Sequence, residues 1–316
     1  MGTPGFAVRP LQLLLESAYN VVGVITAPDR PAGRGKRIRF SEVKDFLLEL
    51  DSQIPLLQPE NLKDPEFLKE LKALQPDLQV VVAFRMLPES VWSIPSMGTF
   101  NLHASLLPQY RGAAPINHVL INGEKETGVS TFFIDEQIDT GKILLQERTK
   151  IGPEETAGEL HDRLMELGAD LVLKTIGQLM AGSLKAKPQD QYMDAASPLK
   201  KAPKIFREDC RIRWDQKGEK IFNLIRGLSP YPGAFAMLES ERGKASQCKI
   251  LKATFEAVSH REAPGTISTD GLNFLKVAVE DGLIQVDALQ MEGKRSMEIR
   301  DFLRGFNPGN ETFWFS

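Results

Sequence analysis

Cysteine is almost absent: Cys210 and Cys248 are the only two in 316 residues. That excludes a disulfide-stapled scaffold and argues against a cysteine-built metal centre. Long apolar runs are missing too. No stretch approaches the ~20 consecutive apolar residues of a membrane helix. The opening Met1-Gly2-Thr3-Pro4-Gly5-Phe6 has no basic segment leading into an apolar one, so it does not read as a secretory signal. Charge of one sign is not in excess either, with a net value of −3, so global charge gives no sign of nucleic-acid binding. We therefore expect a cytoplasmic chain without a membrane association.

What is present is ordinary for a folded protein, with 42% hydrophobic and 26% charged residues, in a length that suits two domains. The charge is unevenly placed. The chain is acidic ahead of Lys204 and about neutral after it, yet Arg30, Arg34, Lys36, Arg37 and Arg39 crowd one short stretch whose single acid is Asp29. A local cluster of this kind can bind phosphate even in an acidic protein. Standing alone, such a stretch is more often a solvated basic loop.

The first ~150 residues alternate strand and helix patterns. Asn20 to Thr26 is β-branched and stops at Ala27-Pro28; Leu78 to Phe84, Thr99 to His103, Gly128 to Ile134 and Lys142 to Glu147 read as further strands. Ser41 caps a helix with apolar positions Val43, Phe46, Leu47 and Leu50, and Phe67, Leu68, Leu71 and Leu74 mark another that ends before Pro76. Thr156 and Glu159 form a capping box ahead of the stripe Leu160, Leu164, Leu167 and Leu171. This alternation predicts an α/β, Rossmann-like domain with an open, mostly parallel sheet and chemistry at the carboxyl ends of its strands. Periodicity then fades over residues 182–206, where prolines and lysines punctuate polar sequence. Short strands separated by turns follow, over residues 211–214, 235–238, 249–252, 274–279 and 283–286. Their spacing predicts a small β-barrel. The expected domains are residues 1–188 and 207–316, joined by a linker over 189–206.

Asn101 and His103 stand two apart on one predicted strand, so their side chains share a face. An amide NH₂ and an imidazole together can steady a developing oxyanion and move a proton. Asp139, in the turn Asp139-Thr140-Gly141, is placed to orient the imidazole. Such a set suits acyl transfer to an amine and needs no metal. Asn-x-His alone is weak evidence, since a histidine at a strand end is more often structural.

The surrounding residues are more specific. Asn101-Leu102-His103-Ala104-Ser105-Leu106-Leu107-Pro108-Gln109-Tyr110-Arg111-Gly112-Ala113-Ala114-Pro115-Ile116 closely resembles the signature of folate-dependent formyltransferases. The resemblance implies Asn101, His103 and Asp139 as the catalytic set and 10-formyltetrahydrofolate as cosubstrate. It further implies folate contacts from Ser105, Leu106, Leu107 and Pro108, and pterin contacts from the backbone of Ala83, Phe84, Arg85 and Met86. That last segment is one residue shorter than the family pattern, and Arg85 stands where a glycine is usual. The family's first β-strand, normally just ahead of Gly2-Thr3-Pro4, is not seen; a start upstream of Met1, or a gap in the sheet, is the expectation.

Within the family, the loop from Pro28 to Lys36 resembles the insertion of members that act on methionyl-tRNA, which implies Arg30, Arg34, Lys36 and Arg37 as RNA contacts. The tail, through Asp270-Gly271, Asp281-Gly282, Gly293-Lys294-Arg295 and Asp301-Phe302-Leu303-Arg304-Gly305, resembles the family's OB-like, tRNA-supporting module. Lys204, Arg207, Lys294 and Arg304 are its candidate phosphate contacts. The expected product is N-formylmethionyl-tRNA for translation initiation, made by a monomer. Three alternatives stay open: the same chemistry on a small amine such as a sugar nucleotide, hydrolysis of formylfolate, and a non-catalytic RNA-binding module.

Overall fold

A computed structural model describes residues 1–32, 37–193, 198–243, 245–306 and 312–316. They divide into two compact units. The first comprises Met1–Gly112, Glu126–Lys150 and His161–Lys201; the second comprises Ala113–Lys125, Ile151–Leu160 and Ala202–Ser316. The stretch read as a linker is thus shared, with its described residues up to Lys201 belonging to the first unit.

The elements follow local chemistry. Helix α1 (Val8–Glu16) leads to strand β1 (Val24–Ile25), then to a two-stranded ribbon of β2 (Arg30–Ala32) and β3 (Arg37–Arg39). Helix α2 (Glu42–Glu49) is capped by the Ser41 side chain, which accepts from the Lys44 N–H at 3.1 Å. Val43 and Leu47 of the expected stripe are buried, while Leu50, at the C-cap, is exposed. Strand β4 (Leu56–Leu57) precedes α3 (Pro65–Ala73), which has Asp64 as its cap and proline at its first position. Then come β5 (Gln79–Val82), α4 (Glu89–Trp92), β6 (Thr99–His103), α5 (Pro115–Ile121), β7 (Glu126–Phe133), β8 (Ile143–Lys150) and α6 (Ala157–Met180). The capping box ahead of α6 forms in both directions. Thr156 donates its N–H to Glu159 at 2.8 Å, and the Thr156 hydroxyl accepts the Glu159 N–H at 3.3 Å.

The expected mostly parallel sheet needs correction. β1 with β4 and β5 with β6 are parallel, but β6 with β7 and β7 with β8 are antiparallel. β7 and β8 are joined by a turn too short for the crossover that parallel strands need. Strand β1 is also shorter than the predicted Asn20 to Thr26 run. Among the described residues no direct pairing joins β1 to β5. Met1 and Gly2 sit between them, with the Gly2 N–H donating to the Ile25 carbonyl at 3.0 Å and the Val82 N–H to the Met1 carbonyl at 2.9 Å. Beside these contacts lies a largely apolar cavity of about 420 Å³ whose lining includes Leu11, Leu14, Val24, Leu71, Val80 and Ile176.

The second unit packs α7 (Gly218–Leu228) on an antiparallel sheet. Its strands are β9 (Ala234–Ser240), β10 (Ala245–Glu256), β11 (Ile267–Thr269), β12 (Leu275–Val279), β13 (Gly282–Met291) and β14 (Met297–Glu298), then after α8 (Ile299–Gly305), β15 (Phe313–Phe315). The path runs β11, β12, β13, β10, β9, β15. It closes into a barrel where Thr266 bridges Trp314 and the Phe315 N–H donates to the Gly265 carbonyl at 2.9 Å. Gly265 is required there. Its φ is +87°, and a Cβ would run into the Phe315 carbonyl oxygen. Burial alternates along β9, with Ala234, Ala236 and Leu238 facing a core that holds Ile221, Ile225, Ile250 and Val286. The predicted 211–214 strand is reduced to a single bridge from Arg211 to Phe235.

Candidate active site

Strand β6 is central in its sheet, paired on one side with β5 and on the other with β7. Its last residues, Asn101 to His103, therefore present side chains with backbone groups already satisfied. His103 is buried, with 6% of its surface exposed. Its Nε2 lies 2.9 Å from the Tyr110 carbonyl oxygen. That oxygen can only accept, so Nε2 carries the hydrogen and Nδ1 is left to face the other way. Nδ1 looks onto the Asp139 carboxylate, 3.9 Å from Oδ2. The three residues read from sequence as a catalytic set thus comprise an imidazole, a carboxylate beside it, and an amide on the same face of β6.

The side-chain oxygen of Asn101 is buried and has no hydrogen-bond partner among the described residues. A buried amide end left unpaired is costly in a closed core and is suited to a ligand. A half-turn about the terminal torsion presents the NH₂ at the same spot.

The turn carrying Asp139 follows directly from its residues. Asp139 adopts φ +56°, a left-handed conformation that aspartate tolerates better than most residues. At Gly141 an added Cβ would collide with the Phe133 carbonyl oxygen, which accounts for glycine in the D-x-G turn. The carboxylate is fixed by the Gly112 N–H, which donates to Oδ2 at 2.9 Å. Tyr110, the acceptor for His103, also has a positive φ, +61°, and its N–H donates to the Lys200 carbonyl at 2.7 Å. Sequence reasoning missed the roles of Tyr110 and Gly112 because both act through backbone atoms.

The residues expected around folate separate into two kinds. Ser105, Leu107 and Pro108 are buried and hold the turn after β6. The Ser105 hydroxyl donates to the Gln109 carbonyl at 2.7 Å, and Ser130 Oγ links the Ser105 carbonyl at 2.6 Å to the Leu107 N–H at 3.0 Å. Leu106 is half-buried. In the other segment Ala83 is exposed with φ +46°, Met86 is 77% exposed, and Phe84 packs on the core around Ile25 and Val81. Arg85 turns its guanidinium to the backbone: Nη1 donates to the Glu60 carbonyl at 2.7 Å, and Nη2 to that of Pro59. Its pKa is lowered by burial, with neighbouring Arg30 adding to the effect.

Among the basic residues, Arg30 and Arg39 are exposed and directly opposite each other across β2 and β3. Like charges in register are repulsive. The base of this ribbon is anchored by Asp29, which accepts from Lys44 Nζ at 2.6 Å and from Gln58 at 2.8 Å; these bonds hold its pKa below the usual carboxylate value. Arg34 and Lys36 lie outside the described residues, and Arg37 is described only in its backbone. In the second unit Lys204 lies over the Phe206 ring at 5.6 Å and Arg207 over that of Phe235 at 5.7 Å. Arg304 pairs with Asp301 at 3.1 Å, and Lys294 is exposed. Among the described residues no group of His, Cys, Asp and Glu is arranged to hold a metal ion.

The chain is matched over residues 2–176 by the model of a family described as formyl transferase, and over 204–307 by that of the formyl transferase C-terminal domain. It is 53% identical to a methionyl-tRNA formyltransferase of Bacteroides fragilis, over 97% of this chain and 94% of that one. A second methionyl-tRNA formyltransferase, from Flavobacterium johnsoniae, is 48% identical over 99% of this chain and 96% of its own. Among solved structures, an N-formyltransferase of Helicobacter canadensis in complex with folinic acid and dTDP-3-aminofucose superposes with a TM-score of 0.61 at 19% identity. It is covered over 96% of its length by 90% of this chain.

Proposed function

This chain belongs to the formyl transferase family, and on that premise we propose that it transfers the formyl group of 10-formyltetrahydrofolate to the α-amine of methionyl-tRNA. The observation that carries the chemistry is the juxtaposition at the end of β6, where His103 Nδ1 stands 3.9 Å from Asp139 Oδ2 and Asn101 has a buried side-chain oxygen with no partner among the described residues. The acceptor follows from relatives about half identical along nearly the whole chain, which are named for methionyl-tRNA. The exposed pair Arg30 and Arg39 adds a surface suited to phosphate.

In this reading the neutral amine attacks the formyl carbon, forming the new C–N bond while the carbonyl oxygen gains charge. The amide of Asn101 donates to that oxygen. His103 Nδ1 takes the amine proton, and the adjacent Asp139 carboxylate stabilises the imidazolium. Return of that proton to the departing folate nitrogen breaks the old C–N bond and restores the site. Ser105, Leu107 and Pro108 shape the turn beside which the folate would lie, and the exposed backbone of Ala83 offers the pterin its polar groups.

A small-amine acceptor is the second reading, since the Helicobacter canadensis structure holds an amino sugar nucleotide. That likeness, at 19% identity, extends to fold alone. Hydrolysis of formylfolate and a non-catalytic RNA role leave the barrel unit or the three polar residues without a use. We place the enzyme in the cytoplasm as a monomer; no described helix is long and apolar enough to cross a membrane. The test is a formylation assay offering methionyl-tRNA, free methionine and an amino sugar nucleotide in parallel. Formylation of the RNA substrate alone is expected. Preferential formylation of the sugar, or release of formate with no acceptor product, would overturn the reading.

A further inference from the structure

Gln189 belongs to the stretch that the sequence presents as a linker, yet it is 4% exposed and directs its whole hydrogen-bonding capacity to the site. Its Nε2 donates to the Asp139 carbonyl at 2.8 Å and to the Gly141 carbonyl at 2.9 Å. Its Oε1 accepts from Arg111 Nε at 3.0 Å and from Arg111 Nη2 at 2.6 Å. An amide has two N–H donors and two acceptor lone pairs, so nothing is left over. The segment beside it is also pinned, with the Lys187 and Ile143 backbones exchanging hydrogen bonds of 2.8 Å in both directions.

These contacts close a ring around the imidazole. His103 Nε2 donates to the carbonyl of Tyr110, the residue before Arg111. Gly112, the residue after it, donates its N–H to Asp139 Oδ2. The Asp139 backbone returns through Gln189 to the Arg111 side chain. Both neighbours of His103, the carbonyl and the carboxylate, therefore hang on one three-residue segment and on the glutamine that ties it to the D-x-G turn. Two residues of this ring hold left-handed φ, Tyr110 at +61° and Asp139 at +56°. Such conformations persist when the surroundings over-determine them.

We propose that Gln189, clamped by Arg111, is a positioning residue for formyl transfer: it fixes the turn that sets the Asp139 carboxylate against His103. It touches neither substrate in this scheme and acts through Asp139. The proposal rests on the catalytic reading of Asn101, His103 and Asp139 given above. A network in which every member is satisfied fixes one geometry, and removing one member frees the rest to shift. Displacement of a catalytic group by about 1 Å costs on the order of 10²-fold in rate.

The test is a double-mutant cycle on the full chain, with kcat and KM measured for formylation of methionyl-tRNA. Gln189→Met keeps side-chain length without either donor; Gln189→Glu keeps the acceptor for Arg111 but sets a carboxylate against two carbonyls. Each is expected to lower kcat by roughly 10²-fold while KM for the formyl donor stays near its original value. On an Asp139→Ala background the same substitutions should cost nothing further, because the group they position is gone. An equal loss on both backgrounds, or a rise in KM with kcat intact, would overturn the proposal. Thermal melts decide whether a loss of rate reflects a loss of folded protein. If Gln189→Met fails to fold, Gln189→Glu and Arg111→Lys run the same cycle. Should Asp139→Ala alone leave kcat unchanged, the catalytic reading itself fails, and that outcome is distinct from a null result at Gln189.

Discussion

His103 and Asp139 face each other through Nδ1 and Oδ2 at 3.9 Å, while Nε2 on the far side of the ring is engaged by the Tyr110 carbonyl at 2.9 Å. The gap is wider than a hydrogen bond, so in the proposed mechanism the carboxylate works on the ring by charge and not by a direct hydrogen bond. Asp139→Asn can keep an acceptor oxygen for the Gly112 N–H while it removes the charge and turns the other oxygen into an NH₂ donor. We expect kcat to fall by ~10²–10⁴-fold, the range of a positioned proton-transfer group, with the donor KM held. Steady-state formylation kinetics check this, and an unchanged kcat would exclude the charge pairing from the mechanism.

The second prediction concerns Asn101, whose side-chain oxygen is buried without a partner among the described residues. Asn101→Ala removes the proposed oxyanion donor without breaking a hydrogen bond to its oxygen from any described residue. Turnover should drop by about 10²–10³-fold, as for removal of one such donor elsewhere, and the melting temperature should not fall in step. Equilibrium binding of a folate analogue should be close to wild type. A variant that binds folate poorly but turns over normally would move Asn101 from the reacting centre to the binding pocket.

Arg30 and Arg39 lie opposite each other on the β2–β3 ribbon, and this makes stability and function respond with opposite sign. Removing one positive charge relieves cross-strand repulsion, so Arg30→Ala should leave the melting temperature unchanged or raised. RNA use should weaken, and the slope of log affinity against log salt should shrink by about one for each phosphate no longer neutralised. Donor KM should not move. Equal damage to both substrates would mean that the ribbon supports the folate site and not the RNA.

Much of this architecture is legible in the residues, and the gaps have physical causes. The capping box at Thr156 and Glu159 and the Ser41 cap reappear in the structure because each depends on neighbours in sequence. So does the placement of Asn101 and His103 on one strand, which the two-residue period dictates. Pairing direction is harder to read. Strand-helix alternation earlier in the chain suggests a mostly parallel sheet throughout, although the short D-x-G connection between β7 and β8 permits only an antiparallel pair. The Tyr110 and Gly112 contributions come from backbone atoms, which no residue type announces. Gln189 is hidden differently: polar residues among prolines look like a linker, and only long-range contacts bury one of them.

The last prediction uses the barrel core. Cys248 on β10 is fully buried, and burial pushes its thiol from an ordinary value of 9.0 up to about 12. Burial also raises Cys210, with Asp209 contributing. The sign follows from linkage: the folded state favours the protonated thiol, so the contribution of Cys248 is present in full below the unfolded pKa, declines from there, and is gone once the pH reaches that of the folded thiol. In the window from 9.0 to about 12 the unfolded chain ionises first, and stability falls as pH rises through it. The thiolate is the reactive form, so at pH ~8 the folded Cys248 should ionise about a thousandfold less than when unfolded, given a rise from 9.0 to about 12. Labelling with an aromatic disulfide reagent, read site by site by mass spectrometry, should leave Cys248 unmodified in native protein and modify it promptly in concentrated urea. Rapid native labelling at Cys248 would show that β10 opens at its centre, a result the closed barrel does not allow.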